Sequence, residues 1–193
     1  YHVGGGGYSW GVDTYTDDEG RYEFNGLSEG EYLLQTSGTA THQDNFYPNN
    51  PSGPGANWSL AVNLPVQNGV TTMAGDFLLR PFGAITGTAL NRKDGTPATG
   101  VTVQAYRNVG PGSWSAVSGG STDASGTFRL GGLLKGDYRV VLTDPTPWVK
   151  NYYCALTYPD NYWIVADPST GATITVPEDG DVVTLPAPAQ MKR

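Results

Sequence analysis

One stretch of this chain occurs twice. Residues 16–32 read Thr16-Asp17-Asp18-Glu19-Gly20-Arg21-Tyr22-Glu23-Phe24-Asn25-Gly26-Leu27-Ser28-Glu29-Gly30-Glu31-Tyr32. Residues 122–138 read Thr122-Asp123-Ala124-Ser125-Gly126-Thr127-Phe128-Arg129-Leu130-Gly131-Gly132-Leu133-Leu134-Lys135-Gly136-Asp137-Tyr138. The offset, 122 less 16, is 106 residues, with no gap inside the motif. Thr, Asp, three glycines, Leu and the final Tyr are identical. Each copy opens with a tight turn, because Asp caps its own turn and Gly accepts positive φ. Alternating apolar residues follow (Tyr22 and Phe24 in one copy, Phe128 and Leu130 in the other), as a strand with one buried face requires. A second turn then leads into another strand. A repeat at this spacing implies two copies of one domain rather than a solenoid of short units.

The composition agrees with turns and strands. The chain has 193 residues, including Gly 27 and Pro 14, and is long enough for two domains of about 100 residues. Its 11 basic and 18 acidic residues give a net charge of −7, which argues against nucleic acid and anionic membranes as partners. No apolar run approaches the roughly 18 residues needed to span a bilayer, so no membrane insertion is expected. No secretory leader is visible and the first residue is not Met, which reads as a mature or trimmed fragment. The single Cys154 has no partner for an internal disulfide, and low Cys and Met fit an exported bacterial protein.

Taken in order, Gly4 to Gly7 reads as a hairpin tip and residues 8–12 as a strand. No Lys and no helix pattern follow those glycines, which excludes a phosphate loop. Residues 38–60 are loop-like. Residues 60–66 suit an edge strand because of Pro65. Asn68-Gly69 is a hairpin turn, and residues 71–79 are expected to close the first domain as a strand. Further strands are expected at 84–90, 101–106, 138–142, 172–176 and 182–185, with a long aromatic loop at 143–171 and a frayed tail from Pro186. The domains are therefore set at 1–80 and 81–188, with a tail at 189–193. The offset puts Tyr1 opposite Arg107, so the first domain lacks counterparts of the strands at 84–90 and 101–106. Those strands would either precede residue 1 in the intact protein or be supplied by another chain.

The residues Gly87, Asp94-Gly95-x-Pro97, Gly100-Val101-x-Val103, and the motif from Thr122 to Tyr138, together resemble the carboxypeptidase regulatory-like domains and the related collagen-adhesin B-type repeats. The resemblance covers about residues 82–186, and residues 8–80 as an N-terminally truncated copy. It implies an all-β chain of two tandem transthyretin-like (prealbumin-like, Ig-like) β-sandwich domains, used as non-catalytic modules of secreted or cell-surface proteins. Some collagen-adhesin repeats form a Lys–Asn isopeptide bond. Here the strand at 84–90 has no Lys, Lys93 lies in the turn beyond it, and the strand at 182–185 has no Asn, so no isopeptide residues carry over. Tyr32 and Tyr138 are each expected to send the hydroxyl to a nearby backbone carbonyl, as in the tyrosine corner of other sandwiches.

No catalytic constellation stands out. His2 is terminal, and His42-Gln43-Asp44 reads as solvated loop. Cys154 lacks a neighbouring His or basic helix start to activate it. No Gly-x-Ser-x-Gly elbow exists. Asp17, Asp18 and Glu19 could in principle hold calcium, but the second copy keeps only Asp123, and turn capping explains that shared residue without a metal. No enzyme activity, metal or cofactor is expected. The aromatic loop of the second domain carries the candidate ligand-binding residues Trp148, Tyr152, Tyr158, Tyr162 and Trp163. Flat rings beside Asp160 and Asn161 suit sugar stacking. Equally, they suit a plug that closes the open end of the sandwich. The expected role is thus a structural, adhesive or assembly module whose partners are neighbouring domains or further copies. The alternative is a carbohydrate-binding accessory module, with polysaccharide as partner, attached to a secreted hydrolase.

Overall fold

The computed structural model describes residues 1–4, 7–37, 40–48, 50–51, 60–144, 149–152 and 171–191. These contain strands, turns and no α-helix. The chain divides into two compact units, Tyr1–Leu79 and Arg80–Arg193.

Among the described residues the second unit holds nine strands. In the first unit seven precede them, β1 (His2–Gly4), β2 (Gly7–Ser9), β3 (Gly30–Tyr32), β4 (Gln35–Thr36), β5 (Asn45–Phe46), β6 (Asn50–Pro51) and β7 (Leu64–Val66). The nine are β8 (Gly83–Asn91), β9 (Thr102–Gly110), β10 (Ser113–Ser121), β11 (Thr127–Leu133), β12 (Gly136–Asp144), β13 (Val149–Tyr152), β14 (Ile174–Val176), β15 (Val182–Thr184) and β16 (Ala189–Met191). One sheet runs β10-β9-β12, with β13 and β14 both paired to the far edge of β12. The other is built on β8, flanked by β11 on one side and by β15 and β16 on the other. Alternation directs Val103 and Ala105 of β9 and Tyr138, Val140 and Leu142 of β12 into one core. Ile85 and Ala89 of β8 and Phe128, Leu130 and Leu133 of β11 meet them there. Gly87 faces Phe128 across the β8–β11 ladder, and a Cβ at Gly87 would lie 2.7 Å from the ring's Cζ. The absent side chain is what lets the ring lie over the strand.

The end of the chain corrects the expected frayed tail. Residues 189–191 form β16 in parallel register with β8 (Ala189↔Ala89, Met191↔Asn91), and Met191 is 0% exposed. The tail continues the core because three more ladder positions on β8 were still open beyond β15. β10 was not expected at all, since its Ser- and Gly-rich sequence carries no apolar alternation.

The first unit has one four-stranded sheet, β2-β1-β3-β7, and a small three-stranded one, β4-β5-β6. Some of its pairings parallel those of the second unit. Gly30↔Val66 and Tyr32↔Leu64 pair as Gly136↔Val176 and Tyr138↔Ile174 do. β1 flanks β3 and is joined to β2, as β9 flanks β12 and is joined to β10. Residues 21–29, which carry the same alternation as β11, form no strand, and residues 71–79 do not form the expected closing strand. In the second unit β11, β15 and β16 all hydrogen-bond to β8. Among the described residues neither 21–29 nor 71–79 has a strand to pair with, and alternation alone does not make a ladder. The repeated motif and its strands lead one to expect a first-unit core of Tyr22, Phe24, Leu27, Tyr32 and Leu34. Tyr32 is buried, but Tyr22, Phe24, Leu27 and Leu34 are only half-buried, and Leu33 and Phe46 are the most enclosed large side chains.

Candidate binding surface and the repeated turns

The proposed aromatic loop falls largely outside what the structure describes. Trp148, Tyr158, Tyr162 and Trp163, and Cys154 with them, lie outside the described residues. Tyr152 is located by its backbone, as the last residue of β13, opposite Val141 of β12. The face of the β10-β9-β12 sheet turned away from the core carries the row of β12 that includes Val141, itself 3% exposed. On this row Val141 pairs with Gln104, and Arg139 pairs with Tyr106. Trp114 of β10 pairs with Asn108 one step along.

On this outward face described aromatic and polar side chains share a sheet surface. The Tyr106 hydroxyl donates to Gln104 Oε1 at 3.1 Å. The Arg139 guanidinium reaches across β9 and lies 4.1 Å above the Trp114 ring. Such a contact contributes about 0.5–1 kcal/mol at a partly exposed site, and it covers one face of the indole. Of the residues of this face, Thr102, Gln104 and Tyr106 were readable as an alternation within the expected strand at 101–106, and Asn108 lies beyond its expected end. Trp114 was not, because β10 itself went unnoticed.

The acidic turns are built by capping. Asp17 Oδ1 accepts from the Glu19 and Arg21 amides at 3.0 and 2.7 Å, and Asp123 Oδ1 from the Ser125 and Thr127 amides at 2.9 Å each. The backbone bonds repeat as well. Asp17 N–H donates to Arg21 O and Gly20 N–H to Asp17 O, as Asp123 does to Thr127 and Gly126 to Asp123. Gly20 and Gly126 have φ of 78° and 75°, the left-handed region this turn needs. Hydrogen bonds from the Ser125 hydroxyl and then the Thr127 amide hold the Asp123 carboxyl below the usual carboxylate range. Asp94 is lowered in the same way by the Thr96 hydroxyl and amide. Among the described residues no three His, Cys, Asp or Glu side chains converge.

Both tyrosines form the expected corner. Tyr32 donates to Ser28 O at 2.9 Å, and Tyr138 donates to Leu134 O. Burial raises the Tyr138 phenol above its ordinary value, partly offset by Arg107 and the Leu134 bond. Thr122 adds a buried junction that its first-unit counterpart lacks. Its hydroxyl accepts from Val101 N–H at 3.0 Å and donates to Ala98 O at 2.6 Å. Thr16, in the same place of the motif, is exposed. His2, dismissed as terminal, packs its ring edge-on against Tyr32 at 5.2 Å and over Gly30.

No family model matches the chain, and no curated protein matches it. It is similar in structure to the Bacillus anthracis TIE protein, at 18% identity and a TM-score of 0.39, over 92% of this chain and 28% of that one. It is also similar to a 9R-lipoxygenase from Cyanothece PCC8801, at 15% identity and a TM-score of 0.29, over 54% of this chain and 16% of that one. The chain thus spans less than a third of either protein's length.

Proposed function

We propose that this chain is a non-catalytic structural or assembly module of a larger secreted or cell-surface protein. In this reading the two units are copies of one transthyretin-like β-sandwich, of the carboxypeptidase regulatory-like or collagen-adhesin B-type kind. The observation that carries it is the shared construction of the two units. Asx turn and tyrosine corner recur at the motif's offset, and the strand pairings beside the corner tyrosine recur in kind, on residues that build backbone geometry rather than chemistry. A carbohydrate-binding role is the second reading, favoured by the outward face with Tyr106, Gln104 and Trp114 and by the register position of Tyr152. The Arg139 guanidinium already lying over the Trp114 indole favours the structural role.

Two measurements test this. Antibody raised against the second unit should label intact cells that express the parent protein, and the purified chain should pass through insoluble polysaccharide without retention. Retention by cellulose, chitin or peptidoglycan that is lost in Trp114→Ala would replace the structural role with the carbohydrate one. Labelling only after lysis would remove the surface assignment.

A further inference from the structure

The two units expose very different amounts of apolar surface. Of the twelve large apolar side chains exposed among the described residues, nine belong to the first unit. Trp10 is 80% exposed, Tyr15 94% and Met73 83%. A unit of this size gains nothing from leaving such residues in water. The exposure accompanies two stretches that join no sheet among the described residues. Residues 21–29 and 71–79 run without strand pairing, and Tyr22 meets the second of these segments directly. Its hydroxyl donates to Gly75 O at 3.1 Å, and its ring lies 5.9 Å from Phe77. In the second unit the segments equivalent to these two are β11 and β15–β16, held apart by β8. The turn before each closing segment fixes that equivalence. Val70 N–H donates to Gln67 O as Asp181 N–H does to Glu178 O, on Gly69 and Gly180 with φ of 72° and 89°.

We propose that the first unit is completed by a β8-like strand of the same polypeptide, inserted between residues 21–24 and residues 71–73. It runs antiparallel to the former and parallel to the latter, as β8 does between β11 and β15. The repeat identifies its source. Tyr1 matches Arg107 by the motif offset, and His2 matches Arg107 in the ladders to the corner tyrosines, so a strand equivalent to Gly83–Asn91 lies about 15 to 24 residues N-terminal to Tyr1. The rest of the intervening segment supplies the start of the β9 equivalent, whose last residues are already present as β1. The inserted strand carries alternate apolar residues toward the core, and a glycine or alanine opposite Tyr22, where β8 has Gly87 opposite Phe128. A second copy of the chain is less suited to the role, because its own β8 is fully engaged by three partner strands. This inference rests on reading the units as copies of one fold.

Hydrogen exchange of individual amides tests it, on the 193-residue chain and on the same chain extended by the 30 or so residues that precede it in its gene. Amides of residues 22–24 and 71–73 should exchange freely in the shorter chain and slow by at least about 100-fold in the longer one, as joining a sheet ladder does. Unchanged exchange in the longer chain overturns the proposal. Slow exchange in the shorter chain that appears only at high concentration also overturns it, and assigns the strand to a second copy. A third chain, with a copy of residues 81–106 placed directly before Tyr1, separates the underlying assumptions. Protection there but not with the natural extension leaves the two-copy reading standing and refutes only the source. Protection in neither refutes both.

Discussion

Thr122→Val in the second unit is the sharpest perturbation the fold offers. Valine has the shape of threonine without its hydroxyl, so packing is kept and two hydrogen bonds are lost. The Val101 amide, 3.0 Å from the hydroxyl, and the Ala98 carbonyl, 2.6 Å from it, then lose this partner. Thr122, Val101 and Ala98 are all buried, so water does not readily replace it. Each buried polar group stripped of its partner costs about 1–3 kcal/mol, which gives roughly 2–6 kcal/mol for the two. For a domain of this size that lowers Tm by about 8–25 °C. Urea unfolding followed by tyrosine and tryptophan fluorescence measures it, with an unchanged m-value showing that the denatured state is unaltered. Thr16→Val is the matched control. Thr16 holds the same place in the repeated motif but is exposed, so its replacement should change stability by no more than about 0.5 kcal/mol. A loss below about 1 kcal/mol at Thr122, or an equal loss at Thr16, would refute the reasoning.

Other outcomes follow from the same geometry. Gly126→Ala should cost more than about 2 kcal/mol in thermal unfolding, because it sets a Cβ 2.5 Å from the Ala89 carbonyl oxygen on a backbone with φ of 75°. Ending the chain at Pro188 removes β16 and its buried Met191, and should lower the urea stability of the second unit by about 2–5 kcal/mol. The raised Tyr138 phenol contributes stability that is present below pH about 10 and lost as pH rises through its folded value. Alkaline titration should therefore unfold the parent protein earlier, relative to its neutral stability, than Tyr138→Phe. Asp123 has the opposite sign. Its lowered carboxyl contributes stability above about pH 4 that disappears as pH falls through its folded value, so Asp123→Asn should flatten the acid limb of the stability profile.

The sequence made the repeated parts legible and the unrepeated ones obscure. Asp-to-Gly turns, strand alternation and corner tyrosines act through near neighbours, so each motif carried its own structure wherever it stood. Whether a segment becomes a strand depends also on a partner that local pattern does not encode. Residues 127–133 pair with β8 and form β11, while residues 21–27 have the same alternation and form none. Among the described residues no strand lies beside 21–27 to complete a ladder, and nothing in that segment's own pattern reports this. β10 was hidden for a different reason. It is a strand of Ser, Gly and exposed residues, placed by its ladder to β9 rather than by a buried face. Of the candidate ligand-binding residues, Tyr152 was tied to the fold by a ladder, opposite Val141.

The parallel pairing of β8 with β15 and β16 also decides how the second unit responds to tension. β8 begins the unit and β16 ends it, and both C-terminal strands run alongside β8 in the same direction. A pull applied at Arg80 and at the C-terminus therefore draws β8 and its partners past one another along their length. The ladder bonds, and with them Thr184 against Thr86 at 3.1 Å, are loaded together in shear rather than opened one at a time from an end. Forced unfolding is governed by the barrier to that concerted slip rather than by equilibrium stability. The unit should thus hold against stretching along the chain better than its thermal stability suggests.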